Sequence, residues 1–171
     1  MEFSGKKVTV VGTGISGIGA VGLLNAVGAE VVLYDGNEKL KIEDIEKKLG
    51  TYKAEIVLGE LTKELTDSSD LLVISPGVPI DSPVVKAFEA AGVPVWGEVE
   101  LAYAFDKGKV LAITGTNGKT TTTALVGQIV GAYHKDTFVV GNIGNPYTTE
   151  VLKSNKDSYT VAEISSFQLE T

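Results

Sequence analysis

The chain is 171 residues long, with 43% hydrophobic and 22% charged residues, a length at which folding removes roughly 70% of the unfolded surface from water. No apolar run approaches the roughly 18 to 20 residues of a membrane helix, so no membrane insertion is expected. All 15 basic residues are lysine, the formal net charge is -7 and cysteine is absent, which argues against a nucleic-acid partner and leaves no disulfide or thiolate chemistry. The opening "MEFSGKK" leads straight into a strand rather than into the apolar stretch of a secretory signal, and a cytoplasmic location is the expectation.

The first strand, at 7–11, runs into "GTGISG" and a helix at 15–27. Gly12 permits a tight turn, Gly14 lets a pyrophosphate approach the backbone, and Gly17 lets the helix pack closely on the sheet. A second strand, at 31–34, is followed by Asp35, which can accept a hydrogen bond from a ribose or a base N–H. The turn therefore suits a nucleoside diphosphate without fixing the nucleoside. The run "NEKLKIEDIEKK" mixes signs at helical spacing, so a helix at 42–49 should show a solvated face. After strands at 55–58 and 71–75 comes "ISPGVP", where Gly77 between two prolines fixes a bend. N–H groups around Ser75 and Gly77 could meet a second part of the same ligand. In "DSPVVKAFEAAG", Ser82 is the expected cap of a helix at 83–91, with Pro83 in its first position and Gly92 as its stop. A strand at 93–96 and a helix at 98–105 lead into an expected boundary within 97–108.

A strand at 110–114 then feeds "GTNGKTTTTALVGQIV", with a helix at 120–132. A strand, a glycine-rich turn and a helix aim several N–H groups and the positive helix end at one point, where a phosphate chain sits well. Strict Walker spacing would need glycine where this chain has Ile113, so the loop is a shortened relative. Gly115, Thr116, Asn117, Gly118, Lys119, Thr120 and Thr121 form the candidate phosphate cradle. Lys119 is the candidate catalytic cation, and Thr120 offers a hydroxyl to Mg²⁺. The sole histidine, His134, lies in a polar connection and reads as solvated. A strand at 138–140 opens into "VVGNIGNP", placing Asn142 in a glycine-flanked loop. The last strand, at 159–164, carries Glu163 near its end, a candidate metal carboxylate on the same sheet edge as the glycine loop. Short apolar runs alternate with amphipathic segments throughout, the signature of an α/β fold with parallel sheets.

In this order, "GTGISG" with Asp35, "SPGVP", "GEVEL", "ITGTNGKTTTT", "GNIG" and "AEISSFQLET" resemble the bacterial Mur ligases, and "SPGVP" with "SSFQLE" points to the branch that adds D-glutamate to the peptidoglycan precursor. The resemblance implies a Rossmann-like parallel-sheet domain over 1–97 that takes the UDP end of UDP-N-acetylmuramoyl-L-alanine. The beginning of a P-loop ATPase-type α/β domain would follow over 98–171. It implies Ile15, Ser16, Asp35 and Gly77 near uridine and pyrophosphate, with Asn142 at the substrate. The cradle would hold ATP, with Lys119 on the terminal phosphates and Thr120 and Glu163 serving Mg²⁺. In this family ATP phosphorylates the substrate carboxylate and the amine of D-glutamate attacks the acyl phosphate.

Some members carry an arginine shortly after the acid of the second strand. Here the text is "DGNEK", so that contact falls to Asn37 or to backbone. The family's carbamylated lysine, substrate histidine and D-glutamate-binding C-terminal domain have no counterpart up to Thr171. The expectation is a monomeric fragment, inactive alone. The alternatives are another Mur ligase, such as the L-alanine-adding one, or an NAD-dependent oxidoreductase, which the first hundred residues permit and the second loop does not explain.

Overall fold

The structure, a computed structural model, describes residues 3–169; the end of the "AEISSFQLET" motif, Glu170 and Thr171, lies outside the described residues. The chain forms two sheets, both wholly parallel. The first contains β1 (Lys7–Val11), β2 (Glu30–Asp35), β3 (Glu55–Leu58), β4 (Leu71–Ile74) and β5 (Val95–Gly97) in the order β3-β2-β1-β4-β5. The second contains β6 (Lys109–Ile113), β7 (Thr137–Gly141) and β8 (Tyr159–Glu163) in the order β6-β8-β7. Between the strands run α1 (Ile15–Ala26), α2 (Ile42–Leu49), α3 (Lys63–Ser68), α4 (Pro83–Ala90), α5 (Glu98–Tyr103), α6 (Lys119–Tyr133) and α7 (Tyr147–Glu150).

The apolar runs of the first sheet are covered on both faces, and strand alternation divides their side chains between two cores. Val8, Val10, Val31, Leu33, Leu71 and Val73 point to one face, where Leu23 and Leu24 of α1 and Leu101 of α5 pack. Val32, Tyr34, Leu72 and Ile74 point to the other, against Leu65 of α3 and Val85 and Phe88 of α4. Thr9 lies among the buried residues of β1, and its hydroxyl shares a 2.8 Å hydrogen bond with that of Ser69, so no polar group is stranded there.

The second sheet is less enclosed. In α6 only Thr123 and Gly127 are buried, while Leu125, Ile129 and Tyr133 stand in solvent. The two sheets nevertheless share a core: Tyr147, Val151, Val140, Ala162 and Ile164 belong to the same buried cluster as α1 and α5. Tyr147 is fully buried, and its hydroxyl donates to Asp106 Oδ2 at 2.6 Å. Burial, followed by the adjacent Asp106 carboxylate, pushes the Tyr147 phenol well above its ordinary range.

Two helices appear where the apolar pattern is silent. The six residues of α3 start at Thr62, whose Oγ1 accepts from Leu65 N–H at 3.3 Å. The four residues of α7 follow Pro146 and bury Tyr147 and Thr148. Ser82 corrects an expectation: it stands at the N-cap position of α4, yet its hydroxyl makes no cap hydrogen bond and is buried without a partner. Pro83 in the first position fixes the helical entry without it. At the other end Gly92, with φ +77°, takes the left-handed conformation that ends the helix, and Val93 N–H returns to Phe88 O at 3.0 Å.

Phe88 is completely buried between α4 and the sheet, so Phe88→Ala should lower unfolding stability by about 3–5 kcal/mol. Urea denaturation followed by circular dichroism checks this, and a loss below about 1 kcal/mol would contradict the packing described.

Candidate functional site

Parallel pairing sends the ends of β1, β2 and β4 to one edge of the first sheet, and the order β3-β2-β1-β4-β5 makes the crevice between β1 and β4 the point where strand order reverses. Open parallel sheets offer their ligand crevice at such a point. Gly12 leaves β1 with φ +102°, beyond the reach of ordinary side chains, and a Cβ there would stand 2.9 Å from Ser75 Oγ. A Cβ on Gly17 would drive into the Gly12 carbonyl. The glycines of "GTGISG" thus let α1, the turn and the start of "SPGVP" come together. Ile15 and Ser16 open α1, and Ile15 is 78% exposed at this edge. Ser75 Oγ is buried there without a partner.

Asp35 ends β2 beside the turn. Its Oδ2 accepts from Thr13 N–H at 3.3 Å and from the Thr13 hydroxyl at 3.0 Å, and its Oδ1 accepts from Asn37 N–H at 3.1 Å. Asn37 is itself engaged, since its Oδ1 accepts from Lys39 N–H at 3.1 Å. Much of what Asn37 does is therefore local turn formation, and of its side chain the amide nitrogen remains for another partner. Lys48, from the charged run, reaches across to the Thr13 carbonyl at 3.3 Å.

The second edge repeats the device. The loop after β6 carries Gly115 at φ +147° and Gly118 at φ +76°, the latter as N-cap of α6. Lys119 and Thr120 are the first two residues of that helix. Lys119 Nζ donates to the Gly115 carbonyl at 2.7 Å. Glu163 ends β8, paired with Ile113 of β6 on one side and Gly141 of β7 on the other. Only 4% of Glu163 is exposed, and its Oε2 has no hydrogen-bond partner. Asn142 is tied to the same spot, because its N–H donates to the Glu163 carbonyl at 3.1 Å. Gly141, at φ +101°, lets β7 pass so close to that carbonyl that a Cβ would collide with it.

A buried carboxylate oxygen with no donor is costly in water-free surroundings and suits a cation. Among the described residues no group of three or more His, Cys, Asp or Glu side chains is placed to hold a metal. A cation at Glu163 would therefore need further oxygen donors, such as a hydroxyl, phosphate oxygens and water, as hard Mg²⁺ takes with nucleotides. On the residues present, both an anionic phosphate chain and Mg²⁺ fit the second edge.

A cavity of about 510 Å³ opens beside the end of β4. It is lined by the segment from Ser75 and Gly77 to Asp81, by Glu98, and by Phe167 and Gln168. Gln168 is fixed by Ser165, whose N–H and hydroxyl donate to its Oε1 at 2.8 and 3.0 Å. Of the residues singled out from the sequence, Ser75 and Gly77 line this cavity, while Ile15, Ser16, Asp35, Asn37 and Asn142 lie outside its walls. Glu98 was not singled out. It is 4% exposed, and its Oε1 accepts from Thr148 N–H at 3.2 Å and the Thr148 hydroxyl at 2.9 Å. Burial raises the pKa of the Glu98 carboxyl, and the two hydrogen bonds from Thr148 oppose that rise. His134 is exposed, as its setting suggested, and stacks on Tyr159 with ring centroids 4.1 Å apart.

Comparison with known proteins places this geometry in context. A family model described as Mur ligase MurD-like, N-terminal domain, matches residues 6–97, and one described as Mur ligase middle domain matches residues 113–171. The chain is 70% identical, over its whole length, to UDP-N-acetylmuramoylalanine--D-glutamate ligase of Lachnospira eligens, and 58% identical to the protein of the same name from Lachnoclostridium phytofermentans. It spans 38% of the length of each. Among solved structures, a pseudomurein peptide ligase type C from Methanothermus fervidus is 25% identical with a TM-score of 0.52, covering 94% of this chain and 33% of that one. At 19% identity and a TM-score of 0.56, UDP-N-acetylmuramate:L-alanyl-gamma-D-glutamyl-meso-diaminopimelate ligase from Neisseria meningitides shares the fold over 96% of this chain and 55% of its own.

The lone carboxylate of Glu163 gives a direct test. Glu163→Gln removes a desolvated charge, so without nucleotide its melting temperature should equal or exceed that of the parent. Saturating ATP with Mg²⁺ should stabilise the parent, by about 2.7 kcal/mol at a hundredfold excess over Kd. In the variant Mg²⁺ should add nothing to the effect of ATP in EDTA. Thermal-shift curves in the four conditions decide, and an undiminished Mg²⁺ effect in the variant would remove Glu163 from the metal site.

Proposed function

The chain belongs to the Mur ligase family, and on that premise we propose that it is the N-terminal part of a ligase that joins D-glutamate to UDP-N-acetylmuramoyl-L-alanine with ATP and Mg²⁺. The observation that carries the reading is Glu163, a buried strand-end carboxylate with a free oxygen, set beside the glycine loop of β6. A nucleotide-binding first sheet alone would equally suit an oxidoreductase, but a dehydrogenase has no use for Lys119 and Glu163 on a second edge. The names of the relatives compared above support D-glutamate as the amino acid.

In this proposal residues 1–97 hold the UDP-linked substrate and residues 98–171 begin the ATP-binding domain. The N–H groups that open α1 at Ile15 and Ser16 meet the diphosphate, while Asp35, Asn37 and the Ser75–Gly77 bend form the nucleoside side. Asn142 meets the substrate further along. Gly115, Thr116, Asn117, Gly118 and Thr121 surround the ATP phosphates with backbone donors, and Lys119 leaves the Gly115 carbonyl for the terminal phosphate. Thr120 and Glu163 hold Mg²⁺. Bound ATP would supply the phosphoryl group that activates the substrate carboxylate, leaving ADP, with Mg²⁺ offsetting its charge; the amine of D-glutamate would then attack the activated carbonyl carbon as phosphate leaves. Lys119 serves catalysis by following charge onto the transferred phosphoryl oxygens, where a fixed cation acts more strongly than in the ground state. No helix among the described residues is long and apolar enough to cross a membrane; a cytoplasmic, monomeric enzyme is part of the proposal.

The full-length polypeptide should release phosphate from ATP only when UDP-N-acetylmuramoyl-L-alanine and D-glutamate are both present, and Lys119→Ala should lower kcat by about 100-fold or more. A coupled phosphate assay with mass spectrometry of the product checks both. Equal phosphate release without the two substrates, or turnover with L-alanine in place of D-glutamate, would overturn the assignment.

A further inference from the structure

The Glu98 carboxylate ties the wall of the cavity beside the first edge to α7, the short helix that follows the Asn142 loop. It follows Gly97, the last residue of β5, opens α5, and lines the cavity together with Phe167 and Gln168. Its Oε1 takes both donors of Thr148, the N–H and the hydroxyl. Thr148 lies in α7, only six residues beyond Asn142, and is itself 1% exposed. The loop joining them is held at its start, by Gly141 N–H on the Asn145 carbonyl at 3.3 Å and by Asn142 N–H on the Glu163 carbonyl. From the other side α1 presses Gly19 against Thr148, where a Cβ would stand 2.6 Å from Oγ1. The helix that begins at the first nucleotide turn, the loop bearing Asn142 and the cavity wall are thus locked through one hydrogen-bonded pair.

A carboxylate is an expensive way to join packed helices, since an apolar side chain of the same size would bury more favourably. What it adds is direction: two donors on one oxygen fix the sliding and rotation of α7 against α5. We propose that Glu98 is a positioning residue for the ligation reaction, registering the Asn142 loop against the Ser75–Asp81 wall so that one extended, UDP-linked substrate can contact both at once. The proposal rests on the functional reading above. It separates two ligands: UDP alone needs only the first edge, whereas a substrate extending beyond its diphosphate needs the two edges in register.

The test uses the full-length polypeptide and isothermal titration calorimetry with UDP and with UDP-N-acetylmuramoyl-L-alanine, alongside ligation kinetics. Glu98→Ala should bind UDP as the wild type does, while its affinity for the longer substrate falls about tenfold, the scale of one lost charged hydrogen-bond contact, and KM rises in step. Glu98→Gln should restore both, because its amide oxygen accepts the same two donors. Thr148→Val should fall between, and adding it to Glu98→Ala should cause no further loss. Unchanged UDP binding also shows that the variants remain folded. Normal wild-type binding with an unmoved Glu98→Ala overturns the proposal alone, as does an equal loss of UDP affinity or a Glu98→Gln as impaired as the alanine variant. A wild-type protein that binds neither ligand overturns the functional reading and this proposal together.

Discussion

Parallel strand pairing is the constraint from which the rest of the molecule follows. In a parallel sheet every strand ends on the same edge, so every turn that leaves a strand end is delivered to one side. The chain does this twice, and in each sheet the glycine-rich turn, an acidic strand end and an amide-bearing or proline-bounded loop arrive together. The second requirement is that the two sheets hold together. That is met by the short α7, packed against α1 and α5, because Gly19 permits an approach that any side chain would block. Small residues thus matter here as spacers between rigid elements, as much as for the bends they allow.

Three carboxylates near this joint are treated differently, and the differences sort them. Asp106 is saturated: Gly108 N–H, the Tyr147 hydroxyl and the Thr160 hydroxyl all donate to it, at 2.6 to 2.7 Å. It has the profile of a structural group that anchors the connection between the sheets. Glu98 has one oxygen doubly engaged and sits in the cavity wall. Glu163 has a buried oxygen with no partner at all. Native interiors rarely leave such a group alone without a use for it, and the order from saturated to unpartnered runs from scaffold towards chemistry.

The fold class was legible in the sequence because buried parallel strands have to be apolar on both faces, and runs such as "KVTVV" and "LLVI" can hardly be anything else. Ends shifted by a residue or two where burial and pairing part company: the fifth strand begins at Val95, since Val93 N–H returns to Phe88 in the turn out of α4, and Val95 is the first residue paired with β4. The helices α3 and α7 left little trace, because six and four residues cannot show a helical period. Of the site, what was readable was what the backbone dictates. Glycines at positive φ, such as Gly12, Gly115 and Gly118, must be written as glycine wherever the turn exists. The cavity walls were not readable in the same way. Glu98 and Thr148 are fifty positions apart and meet only after α7 docks, while Ser165 and Gln168 look like ordinary polar residues until the turn folds them together.

The hydrogen bond from Lys119 to the Gly115 carbonyl gives the second loop a property that its glycines alone would not provide. The ammonium already has an acceptor within its own loop, so an arriving anion has to compete for it, and binding becomes an exchange. A singly charged or weakly basic anion offers little more than the carbonyl it would replace. A polyphosphate, which brings several charges within reach of one lysine, can draw it away. In a chain of net charge -7 with no arginine, under the proposed function the loop would discriminate by charge density: simple anions would be left in solution, and the cation would be committed only to a ligand that also fills the surrounding amides.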